Sequence, residues 1–220
     1  MSDLSLLQTT DGDLTFLRRQ WDGLTGCLAA GGEEKGRLYA VVLSHYSAEG
    51  RFYHNLHHVA ELLRLLTGFE HRFDDCDAVR FAAWFHDAVY DTKRDDNEER
   101  SAELAGRALH ELSAPAVTAG RVLEMILATK GHSAEGLPWD AQLFLDADLS
   151  ILGAAPEVYG QYSEAIREEY ARVPEPMFRR GRRDVLEGFL RRERIYHTDE
   201  MFARFEERAR ANLRREIERL

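Results

Sequence analysis

The chain has 220 residues, 44% of them hydrophobic and 31% charged, with a formal net charge of −10. That composition excludes a disordered chain, and the acidic balance excludes nucleic acid as a general partner, because phosphate backbones are held by basic surfaces; a small anionic substrate needs only a local cationic patch. Cys27 and Cys76 carry no CxxC spacing, which excludes a disulfide scaffold and a cysteine-built zinc site.

The opening stretch, MSDLSLLQTTDGD, has no basic segment followed by an apolar one. No run approaches the about 18 apolar residues a membrane span needs, so a cytoplasmic protein with no membrane partner is expected. Helix-period apolar spacing then recurs over 13–29, 35–47, 53–67, 76–90, 96–112, 115–131, 139–147, 156–171, 181–195 and 199–218. Polar or Gly/Pro punctuation separates most of these segments, and none alternates as a strand would. The expectation is one all-α domain over 1–220, a bundle of about ten helices with 156–220 packed as C-terminal helices on the core. Its last segment, FEERARANLRREIERL, carries i,i+4 opposite charges and reads as a solvated outer helix.

Three places put costly polar groups into apolar surroundings. The first is YHNLHHVAELL at 53–63. On a wheel at about 100° per residue with His54 at zero, Val59, Leu62, Leu63 and Leu66 fall between about 80° and 180°. His58 then lies on the edge of that core face with His54 one turn before it, and His57 lies beside Glu61 and Arg64 on the side turned to water. The second is AVRFAAWFHDAVY at 78–90, apolar on nearly every side, with His86 and Asp87 in its second half. The third is LFLDADLSILG at 143–153, where Asp146 and Asp148 stand in an apolar run. A buried carboxylate without a partner costs several kcal/mol or more, and a divalent metal removes the penalty for acids and imidazoles together. His58, His86, Asp87 and the two acids of the third segment therefore make one coherent metal set.

These residues resemble the HD superfamily of metal-dependent phosphohydrolases, whose pattern is H…HD…D over a helical bundle. YHNxxH at 53–58, HD at 86–87 and ADLS at 147–150 are similar to the cyclic-nucleotide phosphodiesterase branch. A nearer likeness is to a bacterial family of predicted HD phosphohydrolases of about this length, through YHNLxH, HDxxYD (86–91), DNEERSA (96–102), ATKxH (128–132) and FLDADLSILG (144–153), continuing to NLRREIERL at 212–220. The resemblance implies His58, His86, Asp87 and Asp148 as metal ligands, His54 as proton donor, and Asp87 as part of the catalytic centre. It leaves Asp146 as a supporting acid or an alternative ligand. It implies one or two divalent ions, of manganese, iron, zinc, magnesium, nickel or cobalt, and hydrolysis of a phosphoester in a small molecule, a nucleotide or related metabolite, by metal-activated water. A homodimer is compatible with it. The chain is much shorter than a phosphodiesterase catalytic domain, and the glutamine that clamps the purine there has no counterpart to which it can be assigned.

Other residues carry weaker signals. His132 and Lys130, in ATKGH, are placed to reach a phosphate or a second metal, or to serve as helix-end groups. Glu98 reads either as a supporting acid or as an ordinary first-turn helix residue. Arg179, Arg180, Arg182, Arg183, Arg191, Arg192 and Arg194 form a dense cationic stretch whose interleaved acids suggest a solvated face for most. Two rival functions remain open: an HD-type di-iron oxygenase using extra histidines such as His110 and His132, and a non-catalytic nucleotide-binding module.

Overall fold

The computed structural model describes residues 4–220, so the first three residues of the stretch read for a leader lie outside the described residues. The described residues form ten α-helices: α1 Asp11–Thr25, α2 Gly32–Tyr46, α3 Leu56–Thr67, α4 Cys76–Phe85, α5 Asn97–Glu111, α6 Ala116–Ala128, α7 Trp139–Asp148, α8 Pro156–Glu169, α9 Glu175–Arg191 and α10 Asp199–Arg219. Short 3₁₀ turns at Ser5–Leu7, Glu70–Arg72 and Leu149–Gly153 join them. There is no strand, and no helix long and apolar enough to cross a membrane, among the described residues. The all-α bundle expected from the apolar spacing is the architecture found.

α4 is the hub. Every one of Ala78, Val79, Phe81, Ala82, Ala83, Trp84 and Phe85 is buried, and the helix packs against α3, α5, α6 and α7. Asp75 starts it, accepting the Ala78 N–H at 3.0 Å. α3 contributes the stripe Leu56, Val59, Leu62, Leu63 and Leu66. One continuous apolar core includes side chains from all ten helices.

Two helix boundaries differ from the sequence expectation in ways that matter for the site. Asn55 caps α3 by accepting the N–H groups of His57 and His58, so the helix begins at Leu56 and His54 stands in the turn before it. α4 ends at Phe85 with His86 as its C-cap, so the HD pair sits at a helix terminus rather than in a helix interior. α9 begins six residues earlier than its expected start at 181, because Pro174 and Pro176 open the helix instead of blocking it. His57 is also not simply turned to water, for its Nδ1 lies 3.1 Å from Asp13 Oδ2 of α1.

α10 lies across the 3₁₀ turn Leu149–Gly153. A Cβ on Gly153 would sit 2.7 Å from both the Cβ and the carbonyl oxygen of Phe205, so only glycine fits at this crossing. Gly153→Ala is expected to cost about 1–3 kcal/mol through overpacking, read as a lower urea midpoint.

Asp13 joins α1 to α3. Its carboxylate completes the capping box with Thr10 and pairs with Arg64 at 2.7 Å as well as with His57. Burial works to raise its pKa, but the Thr10 N–H, His57 and Arg64 overcome burial and hold it at about 2, below the ordinary 3.8. A carboxylate with a depressed folded-state pKa contributes stability above its unfolded value and loses it on acidification. The stability difference between wild type and Asp13→Asn should therefore be full above about pH 4 and shrink as pH falls towards about 2. Urea midpoints of both proteins across that range measure it.

Candidate metal centre

Three helix ends converge to make the site. His58 comes from the first turn of α3, His86 and Asp87 from the C-terminal end of α4, and Asp148 is the last residue of α7. One donor atom from each of the four lies within 4.8 Å of all the others, which makes them a group that could hold a metal ion. His58 Nε2 and His86 Nε2 are 3.0 Å apart. Asp148 Oδ1 is 3.2 Å from the first and 3.3 Å from the second, and Asp87 Oδ2 is 3.1 Å from His86 Nε2. Neighbouring ligand atoms about 2.0–2.2 Å from one ion lie roughly 3.0–3.5 Å from each other, a spacing these four pairs meet, while His58 Nε2 and Asp87 Oδ2 stand 3.9 Å apart, so the cluster could hold a metal ion.

The supporting contacts favour the same use. His86 Nδ1 donates to the Ala83 carbonyl at 3.2 Å, which directs the lone pair of Nε2 inward, the tautomer a metal ligand requires. Burial lowers the pKa of His58 and so favours its neutral form. Burial also works to raise both carboxyls, but His86 leads the cationic and hydrogen-bonding partners that keep Asp87 and Asp148 below the usual carboxylate range. Burial lowers His86 in its turn, and the two carboxylates reverse that, lifting it well above the usual imidazole value, so the same carboxylates hold on Nε2 a proton that a bound cation would displace.

His54 stands beside the four without joining them. Its Nε2 is 3.9 Å from Asp87 Oδ2, and its ring stacks on Tyr90 with centroids 4.1 Å apart. Nδ1 is 2.7 Å from Glu169 Oε2, and the other Glu169 oxygen accepts the N–H groups of Phe52, Tyr53 and His54 at 2.8–3.0 Å. Burial alone would lower the His54 pKa; the Glu169 carboxylate more than offsets it, and the pKa is raised. The sequence reading missed Glu169. Its signal was present, since Glu169 falls on the buried face of α8 with Tyr159, Tyr162 and Ile166 at helical spacing.

Arg51 was missed too, and nothing in AEGRFYHN separates it from an ordinary surface arginine. Its guanidinium donates to the carbonyls of His54, Asp87 and Ala88 at 2.7–2.8 Å and lies over the rings of Tyr46 and Tyr90. It thus staples the His54 turn to the HD turn.

The remaining residues of interest divide. His132, in the turn after α6 with φ +43°, meets Asp148 Oδ2 through Nε2 at 2.8 Å and so holds the carboxylate by its other oxygen. Asp146 points elsewhere: it accepts the N–H groups of His197 and Thr198 and the Thr198 hydroxyl, each at 2.7 Å, and pins the start of α10. Lys130 is exposed and bound to Glu99 and the Asp95 carbonyl, and Glu98 lines the cleft half-buried. His110 is exposed near the end of α5. Of the seven arginines, Arg182 and Arg192 line the cleft: Arg182 is paired with Glu216, and Arg192 donates to the carbonyls of Gly131 and His132.

Asp87 and Asp148 of the four, with His54 and His132, line a cleft of about 880 Å³ whose other wall comes from α8 and α9. No family model, curated protein or solved structure matches this chain. Function therefore has to be read from the chemistry of the site.

An ion that binds the folded chain alone stabilises it, by about 2.7 kcal/mol at a hundred times Kd. Manganese or zinc added to chelator-treated protein should raise the unfolding temperature by several degrees. His86→Ala should abolish that rise. A shift that persists in His86→Ala would move the binding site elsewhere on the molecule.

Proposed function

We propose that the protein is a metal-dependent phosphohydrolase of the HD type, acting on a phosphoester of a small molecule, with nucleotides among the candidates. The observation that carries this reading is the juxtaposition of a two-imidazole, two-carboxylate ligand set with a separately oriented histidine at one end of an open cleft. A divalent ion held by His58, His86, Asp87 and Asp148 would supply Lewis acidity, polarising the phosphoryl group and lowering the pKa of a water from 15.7 towards about 7.

The chain's own residues supply the rest. Hydrolysis adds water to phosphorus, breaks the P–O bond to the alcohol, and leaves an alkoxide that needs a proton. Glu169 favours the protonated form of His54 and aligns the ring through Nδ1, so the Nε2 proton is the one available for transfer. Stacking on Tyr90 and the backbone clamp of Arg51 hold that ring beside Asp87. A non-catalytic nucleotide-binding module would have no use for an imidazole kept protonated by a buried carboxylate beside the ligand set. His132 favours a second reading, an HD-type di-iron oxygenase, because it brings a third imidazole to the Asp148 carboxylate.

Metal-loaded protein screened against phosphomonoesters, diesters and nucleotides tests the main reading, with His86→Ala as the control; activity surviving that substitution would be contamination. His54→Gln should lower kcat on alkyl phosphates by about 10²–10⁴-fold. The loss should be much smaller on 4-nitrophenyl phosphate, whose leaving group departs without a proton, and Glu169→Gln should give a weaker version of the same pattern. Two irons per chain, with oxygen consumption and no phosphate release, would favour the oxygenase instead.

A further inference from the structure

The far wall of the cleft is made largely by α9, and its composition bears on what the phosphoryl group is attached to. Met177, Gly181, Val185 and Gly188 follow one another at three- or four-residue spacing and all face the cleft. Met177 is 66% exposed and Val185 51%, the most exposed large apolar side chains among the described residues after Val117. They are not scattered surface residues: both belong to the lining that also holds Asp87 and Asp148, with Ile166 of α8 and Tyr170 at its C-cap in the same lining.

The two glycines strengthen the point. Glycine inside a helix is unfavourable by comparison with alanine, and it is retained where something must come close to the backbone. At Gly181 a Cβ would meet nothing within 4 Å, and at Gly188 only the end of the Arg191 side chain, at 3.8 Å. No neighbouring protein atom therefore requires either glycine. What both do is deepen the cleft along α9.

Three of the polar side chains lining the cleft are already engaged. Asn97, the side-chain amide among the described residues lining the cleft, bonds Asp91 through both its oxygen and its nitrogen. The Thr129 hydroxyl donates to the Ile126 carbonyl, and Arg182 is held by Glu216 and Tyr162 through Nε, Nη1 and Nη2. A base edge turned to Met177, Gly181, Val185 and Gly188 would find no polar side chain to pair with, which is costly, whereas a hydrocarbon group would lose nothing.

We infer that the α9 wall is the binding surface for an apolar alcohol portion, so that the preferred substrates are phosphoesters of alkyl or aryl alcohols. This inference rests on the proposed phosphohydrolase reading for the position of the phosphoryl group, and the two can fail separately. n-Alkylphosphonates from ethyl to octyl probe it, because their P–C bond is not hydrolysed and binding is read without turnover. Calorimetry on the manganese-loaded protein should find affinity rising roughly fourfold per added methylene until the cleft is filled. Gly181→Leu and Val185→Asp should each flatten that series, with unchanged circular dichroism confirming that the variants fold.

An affinity independent of chain length, or AMP binding as tightly as octylphosphonate and indifferently to Gly181→Leu, would overturn the inference even if phosphoesters are hydrolysed. A steep series in a protein that releases no phosphate from any ester would leave the apolar wall standing and remove the hydrolase.

Discussion

Two carboxylates and two imidazoles with their donor atoms inside 4.8 Å cannot be held together in a half-dry pocket unless the backbone around them is fixed in advance. Asp87 and Asp148 repel each other, and burial penalises both. The molecule meets that constraint by drawing the ligands from helix ends, where the local backbone has bonding capacity left over. The free carbonyls of the HD turn are taken by Arg51, the free N–H groups opening α3 by Asn55, and the N–H groups of residues 52–54 by Glu169. Each of these side chains satisfies terminal backbone groups and fixes an element of the site in the same contact.

That placement also explains what could be read in the sequence. An acid or imidazole in an apolar run is conspicuous because burial makes it expensive, and His58, His86, Asp87 and Asp148 all stood out on that ground. The periodicity that located α3 and α4 overran their ends, because YHN and HDAVY continue the apolar rhythm for a few residues after the helical hydrogen bonds have stopped. His54 was thus paired with His58 as if both lay on one helix face, and the two do stand near one another. They do so because Asn55 ends the turn and Glu169 turns the ring, neither of which periodicity reports. Arg51 illustrates the limit more sharply. Its importance lies wholly in carbonyls 3 and about 36 residues away in the chain, and no local feature marks a side chain by the backbone it will reach.

Asp146 and Asp148 divide the labour of one helix end. Both lie in the last turn of α7, two residues apart, and so point in different directions. Asp148 faces His58, His86 and His132; Asp146 faces the opening of α10 at His197 and Thr198. By burial alone the two acids have equal claims on a metal, and it is the family resemblance that favours Asp148. In the structure the packing of α10 separates them, and α10 comes some fifty residues later in the chain.

This arrangement couples the centre to the C-terminal helices. The Asp146 contacts fix where α10 begins, α10 lies across the 3₁₀ turn that follows Asp148, and Gly153 sets how closely it approaches. Arg192, at the end of α9, grips the carbonyls of Gly131 and His132, while His132 holds the outer oxygen of Asp148. α9 and α10 are therefore tied by separate contacts to the two ends of the same carboxylate-bearing turn. His132 thus lies between Arg192, just after the helix that carries the apolar wall, and the Asp148 carboxylate, and its backbone is left-handed. Met177 and Val185 of the cleft wall and the grip of Arg192 on the His132 turn therefore belong to one continuous stretch of chain, α9 and its end.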